Sequence, residues 1–205
     1  MRRHVNVANL LTSASLSAAV VALMLASEAR LAWAGALLVL AAVLDGLDGL
    51  AARRLGSSGR FGCELDSLAD LVAFGVVPAL MLHEGPLASA PVTGGAACVV
   101  FAVAGAWRLA RFPLVEHARH WVGLPIPTAG LVAAAAAVLG LGDGVAIALL
   151  LVLAGLMVSA IRFPTVAALT RRPAPPSARA AAGHGDAREP QRLDPAARER
   201  VLLGD

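Results

Sequence analysis

Apolar stretches of about 20 residues, separated by short charged connections, restrict this chain more than any other feature. They run as solid blocks rather than at amphipathic spacing, so the solvent they suit is a bilayer. Composition agrees: 58% of the 205 residues are hydrophobic and 15% are charged, where a soluble domain has about a quarter charged. A helix needs about 20 residues to cross about 30 Å of hydrocarbon. Six segments have roughly that length: about 7–27, 31–53, 62–83, 92–112, 125–142 and 144–163. The expected fold class is therefore all-α, a polytopic membrane protein with six transmembrane helices in a single domain over 1–170. Gly140-Leu-Gly-Asp-Gly144 separates the last two segments as the turn of a tight hairpin. From Arg171 the composition shifts to Pro, Ala, Gly and Arg, which predicts a disordered cytoplasmic tail over 171–205.

Charge placement gives an orientation. All 17 basic residues are Arg. Arg2 and Arg3, then Arg53, Arg54 and Arg60, then Arg108, Arg111 and Arg119, then Arg162, Arg171 and Arg172 fall on alternate connections, and the other connections hold only Arg30. The positive-inside bias puts those Arg-rich ends, with both termini, on the cytoplasmic side of the cell membrane. Arg2 and Arg3 before an apolar stretch ending near Ala29 loosely resemble a signal peptide, but the later segments keep the chain in the membrane either way. Cys63 and Cys98 have no metal-ligand spacing and read as small packing residues. His83, His117 and His120 read as interface residues, and Asp143 as a solvated turn residue.

Four carboxylates stand out inside this apolar sequence: Asp45, Asp48, Asp66 and Asp70. A lone carboxylate in hydrocarbon costs several kcal/mol, so each is expected to face a polar cavity or a cation. Asp45 and Asp48 are three residues apart and Asp66 and Asp70 four apart, so each pair shares a helix face. At 1.5 Å per residue, Asp45 and Asp70 lie about 12 Å inside the cytoplasmic ends of the second and third spans, and Asp48 and Asp66 about 6–8 Å inside. Four negative charges at matched depths call for one or two divalent ions, and oxygen-only ligands select Mg²⁺ or Mn²⁺. Gly46, Gly49, Ala51, Ala52, Gly59 and Gly62 surround the cluster. They either admit a bulky group to the helix backbone or let two helices pack closely.

The run Asp45-Gly-Leu-Asp48-Gly49-Leu-Ala-Ala52-Arg53, followed by eight residues, Gly62, three residues, Asp66, three residues and Asp70, matches without a gap a known signature. It is that of the CDP-alcohol phosphotransferase family, which this chain resembles over about residues 5–165 and which also has six transmembrane helices. Further stretches resemble the members that use serine as acceptor: Asp66 to Pro78, Arg108-Leu-Ala-Arg111-Phe112, Gly123 to Pro127 and Leu156 to Phe163. Asn9-Leu-Leu-Thr12 resembles an N-terminal motif that helps hold the nucleotide. Ala8 stands where Pro is usual, Ala73 replaces a common Ser, and Pro113 stands where Asn is common.

The resemblance implies transfer of a phosphatidyl group from CDP-diacylglycerol to L-serine, dependent on two metal ions, by a homodimer embedded in membrane lipid. It implies that Asp45, Asp48 and Asp66 hold the metal, with Asp70 a further ligand and the general base. Asn9, Thr12, Asp45, Gly49, Ala52, Arg53, Gly62 and Asp66 would contact the CDP-lipid. Arg60, Arg108, Arg111 and Arg162 are candidates for an acceptor or phosphate contact, through paired guanidinium donors, or for simple anchoring. No nucleic-acid partner is expected. Glycerol 3-phosphate or inositol phosphate would be the alternative acceptors. A divalent-ion transporter or a membrane scaffold is the reading from another class, but a transporter would spread its polar residues across the bilayer rather than gather them near one face.

Overall fold

The computed structural model of the chain describes residues 6–55, 59–111, 121–159 and 162–163. Met1–Thr165 is one compact unit and Val166–Asp205 a second. The expected tail lies outside the described residues, as do Arg2, Arg3, Phe112, Pro113, His117, Arg119, His120, Arg171, Arg172 and the side chain of Arg162.

Asn6 caps the first helix, α1 (Val7–Ser27), its side chain accepting from the Asn9 backbone N–H at 2.8 Å. Ala8, Thr12, Ser15, Ala19, Ala22 and Ala26 are buried at steps of four and three residues, a seam of small side chains down one face. Ala29 takes a left-handed φ of 55°, and the Arg30 N–H reaches back to the Leu25 carbonyl at 2.9 Å. That closes α1 with a left-handed cap and reverses the chain into α2 (Leu31–Leu55). On α2 the buried positions are Ala34, Leu38, Ala41 and Asp48, at the same kind of spacing. The two seams mesh, and the Ser15 hydroxyl donates to the Ala41 carbonyl at 2.9 Å. Val20, Val21, Met24, Leu40 and Val43 point outward and are exposed. Small residues inside and large aliphatics outside are what lipid-facing helices use to bring their backbones close.

α3 (Arg60–Glu84) is continuous but not uniform. It is α-helical over Arg60–Asp70, widens to a π-helix over Leu71–Val76 and returns to α over Val77–Glu84. Pro78 gives the reason: it has no N–H to offer the Phe74 carbonyl, and the Val77 N–H bonds to the Val72 carbonyl instead. α4 (Pro91–Arg111) packs against α6 (Asp143–Val158), and α5 (Ile126–Val138) packs against α2 and the second half of α3. At Gly130 of α5 an added Cβ would lie 2.5 Å from the Phe74 carbonyl oxygen, so the two backbones touch where α3 is widened. Between α4 and α5, β1 (Trp121–Val122) pairs antiparallel with β2 (Arg162–Phe163). Gly123, at φ +80°, has no room for a Cβ beside the Met157 carbonyl.

α1 to α4 are each long and apolar enough to cross a membrane, so this is a multi-pass membrane protein. α5 and α6 are shorter than the expected 125–142 and 144–163. They have 13 and 16 residues, about 20 and 24 Å of helix. Past Leu139 the chain turns through Gly140 at φ +65°, and Ser159 ends α6 in an extended conformation before Arg162–Phe163 enters the small strand pair. α5 therefore stops at the turn expected over 140–144, whereas past Val158 the apolar run continues and length alone overestimated α6.

Candidate active site

The carboxylates of α2 sit on its packing seam. Asp45 and Asp48 continue the spacing of Leu38 and Ala41, so they occupy positions that elsewhere on the helix hold core residues. Asp48 is only 6% exposed, and the Thr12 hydroxyl of α1 donates to its Oδ2 at 2.5 Å. Asp66 and Asp70, both half-buried, face α2 from the first turns of α3. Asp45 lies within side-chain hydrogen-bonding distance of each. One carboxylate oxygen apiece from Asp45, Asp48 and Asp66 falls within 4.8 Å of the others. The structure thus brings the whole quartet together.

Carboxylates this close repel unless a proton or a cation lies between them. The set contains only oxygen donors, which suits a hard divalent cation. Asp66 Oδ1 is buried and, among the described residues, has no hydrogen-bond partner. A buried acceptor facing other carboxylates with no donor of its own is an environment that could hold a metal ion. The residues present fit a metal ion.

Beside the carboxylates lies a cleft of about 190 Å³. α1 contributes Asn9 and Thr12 to its wall; α2 contributes Asp48, Gly49, Ala52 and Arg53; α3 contributes Gly62 and Asp66. At Gly62 a Cβ would sit 2.9 Å from Asn9 Oδ1, so the absence of a side chain lets the Asn9 amide lie against α3. At Gly49 the nearest atom is Arg53 Nη1 at 3.5 Å, which places that guanidinium back over the glycine. Ala8, Gly59 and Cys63 also line the cleft, and sequence reasoning gave none of them a ligand role. Cys63 is exposed rather than a packing residue. The signal was present, because Gly59, Gly62, Cys63 and Asp66 follow the spacing of one helix face. Cys98 does pack: it is buried, its thiol donating to the Ala79 carbonyl at 3.2 Å.

The arginines separate by location. Arg60 opens α3 with an almost fully exposed side chain 3.9 Å from Glu64, and does not line the cleft. Arg111 donates to the Val158 and Ser159 carbonyls at 3.3 Å each, tying the end of α4 to the end of α6. Arg162 sits in β2 opposite Val122. Arg108 is only 8% exposed, interacts electrostatically with Asp70 and has a buried Nε without a partner among the described residues.

Residues 5–170 match the CDP-alcohol phosphatidyltransferase family. The chain is similar to the CDP-diacylglycerol–serine O-phosphatidyltransferase of Helicobacter pylori (strain ATCC 700392 / 26695), 34% identical over 167 residues, covering 76% of this chain and 70% of that protein. It is similar to the enzyme of that name from Mycobacterium tuberculosis (strain ATCC 25618 / H37Rv), 41% identical over 138 residues, covering 62% of this chain and 48% of that protein. A third relative of that name, from Bacillus subtilis (strain 168), is 38% identical over 89 residues, covering 43% of this chain and 50% of that protein.

Proposed function

The chain belongs to the CDP-alcohol phosphatidyltransferase family, and on that footing we propose that it is a CDP-diacylglycerol–serine O-phosphatidyltransferase, making phosphatidylserine and CMP. Relatives of that name at 34% and 41% identity support the choice of serine. The observation that carries the chemistry is the meeting of Asp45, Asp48 and Asp66 within 4.8 Å, next to a cleft with room for part of a nucleotide.

Asp45, Asp48 and Asp66, with Asp70 as a further ligand, would hold one or two divalent ions, Mg²⁺ or Mn²⁺. Bound there, the ions supply the positive charge that a pyrophosphate needs before an alcohol oxygen can approach it, and that CMP needs to depart. The side chains do the rest. Gly49, Ala52 and Gly62 leave space for the cytidine, and Asn9, Thr12 and Arg53 border that space with hydrogen-bonding groups. Asp70 takes the proton of the serine hydroxyl as its oxygen attacks the phosphorus attached to diacylglycerol. The new O–P bond forms while the bond from that phosphorus to the bridging oxygen breaks, and CMP leaves with that oxygen.

In this reading α5 and α6 also cross the membrane, giving six crossings in a domain over 1–170, and the tail over 171–205 is cytoplasmic. Arg53, Arg54, Arg60, Arg108 and Arg111 lie at the site's end of their helices and Arg30 at the other, which supports a cytoplasmic site by the positive-inside bias. The family resemblance adds a homodimer, which the molar mass of the detergent-solubilised protein checks.

The test is an acceptor panel. Solubilised protein with Mg²⁺ or Mn²⁺ and CDP-diacylglycerol is expected to release CMP with L-serine, and Asp70→Asn to release none. Turnover with glycerol 3-phosphate or inositol phosphate but not serine would sink the acceptor assignment, and normal activity in Asp70→Asn would remove it as base.

A further inference from the structure

Arg108 occupies a place where an arginine is hard to accommodate. Phe101, Ala104, Gly105 and Arg108 form the inward face of α4, all buried. At Gly105 a Cβ would be 2.7 Å from Ile126 Cδ1, so α4 sits tightly against the start of α5 just where the guanidinium enters the interior. A charge in such a place is kept only when something arrives to match it. Arg108 lies close enough to Asp70 for their charges to interact, yet it makes no ion pair among the described residues, and its Nε is buried without a partner. Nor does it line the donor cleft, whose walls come from α1, α2 and α3. Arg108 thus brings a buried charge within electrostatic range of Asp70 from α4, a helix that contributes nothing to that cleft. The neighbouring Arg111 is already committed to the Val158 and Ser159 carbonyls.

We propose that Arg108 is the specificity-determining residue for the acceptor, its guanidinium receiving the α-carboxylate of serine while the serine hydroxyl meets Asp70. The inference rests on the serine reading above and deepens it. In serine only Cα and Cβ separate the carboxylate from the hydroxyl oxygen, so the two protein groups must be near one another without closing on each other. Arg108 and Asp70 interact through their charges and form no ion pair among the described residues. Guanidinium binds a carboxylate with paired donors, and an Nε–H already stripped of water is the donor such a pair lacks.

The experiment compares L-serine with serinol, which keeps the amine and a hydroxymethyl group but has no carboxylate, using full-length protein and CDP-diacylglycerol with Mn²⁺. Wild-type protein is expected to favour serine. Arg108→Gln is expected to raise KM for serine about 30-fold, the size of a lost charge-assisted pair. The same variant should leave KM for CDP-diacylglycerol within about twofold, which also shows that it folds, and should cost serinol, which has no carboxylate to lose, far less than it costs serine. Arg108→Lys, which keeps the charge and loses the fork, is expected to fall between the two. If Arg108→Gln does not fold, a KM for serine raised in Arg108→Lys with serinol untouched supports the proposal, and an unchanged one overturns it. Serine and serinol declining together would make Arg108 a packing residue, and a raised KM for CDP-diacylglycerol alone would give it to the donor phosphate; each overturns the proposal. A wild-type protein that ignores serine and uses glycerol 3-phosphate overturns the serine reading and the carboxylate anchor together. One that uses serine with Arg108→Gln unaffected overturns the anchor alone.

Discussion

Thr12 and Cys63 show how unequally single residues declare themselves. Thr12 sits in an apolar helix where its hydroxyl, 3.0 Å from the Ala8 carbonyl, could serve only its own backbone, yet it donates to Asp48 across the helix pair. Its nearness to Asn9 in a familiar motif made it legible. The four aspartates were more legible still, because a charge in a hydrophobic run has no innocuous explanation. Cys63 was not, since a cysteine in apolar surroundings is among the most ordinary of core residues. Its exposure on the cleft wall, with the other cysteine buried, makes it a built-in reporter. A maleimide is expected to label Cys63 and spare Cys98, and CDP-diacylglycerol with Mn²⁺ is expected to slow labelling several-fold. Equal labelling rates with and without donor, read by mass spectrometry, would place the donor elsewhere.

Among the helices, α3 departs furthest from what its hydropathy suggests. Apolar periodicity gives one uninterrupted span, and the span is there, but its middle is π-helical. Half of the cause is written locally, in Pro78 and the carbonyl it leaves without a donor. The other half arrives from Gly130 on α5, more than fifty residues away, and no local pattern announces it. The widened turn begins directly after Asp70, so it sets how the carboxylate half of α3 is rotated relative to the half that packs on α5. Gly130→Ala must push backbone apart at Phe74 and is expected to cost about 1–3 kcal/mol. A lower thermal midpoint and reduced turnover would register it. Gly155→Ala, on α6 with open space around it, is the matched control and is expected to change the midpoint little. Identical midpoints for the two variants would mean the contact is not tight. The overlong expectation for α6 has a related origin, since Ser159 ends that helix through backbone conformation and not through polarity, whereas the glycine-rich turn after α5 was legible.

Across the molecule, chain reversals bring the start of α1, the end of α2, the start of α3 and the end of α4 together, and with them Asn9, Thr12, all four aspartates and Arg108. Among the described residues the opposite end has only ordinary contacts, such as Ser89 donating to Asp143 at 2.7 Å. Concentrating acid at one end leaves a repulsive cluster that a cation relieves, so binding and stability are linked. Saturating Mn²⁺ is expected to raise the thermal midpoint of the wild type by about 5 °C. Asp66→Asn, one charge poorer, should be at least as stable as wild type without the ion and should gain little from it. A wild-type midpoint indifferent to Mn²⁺ and to chelator would remove the metal from the account. One-sidedness, and the equal depth of Asp45 and Asp70, were readable from the placement of Asp and Arg along the chain; the approach of Asp45 to Asp66 as well was not, because it depends on how α1 packs against both helices.

Large aliphatic and aromatic side chains stay on the outside right up to the carboxylate end, with Leu10, Leu47, Leu50 and Phe61 all exposed beside the cleft. A donor with two fatty tails need never enter water to be used: it can drift sideways until its headgroup finds the polar recess. Collisions then occur in two dimensions, and the quantity the protein senses is crowding within the lipid phase. In mixed micelles, initial rates should follow the mole fraction of CDP-diacylglycerol and fall on dilution with inert detergent at fixed bulk concentration; rates that track bulk concentration alone would contradict lateral entry.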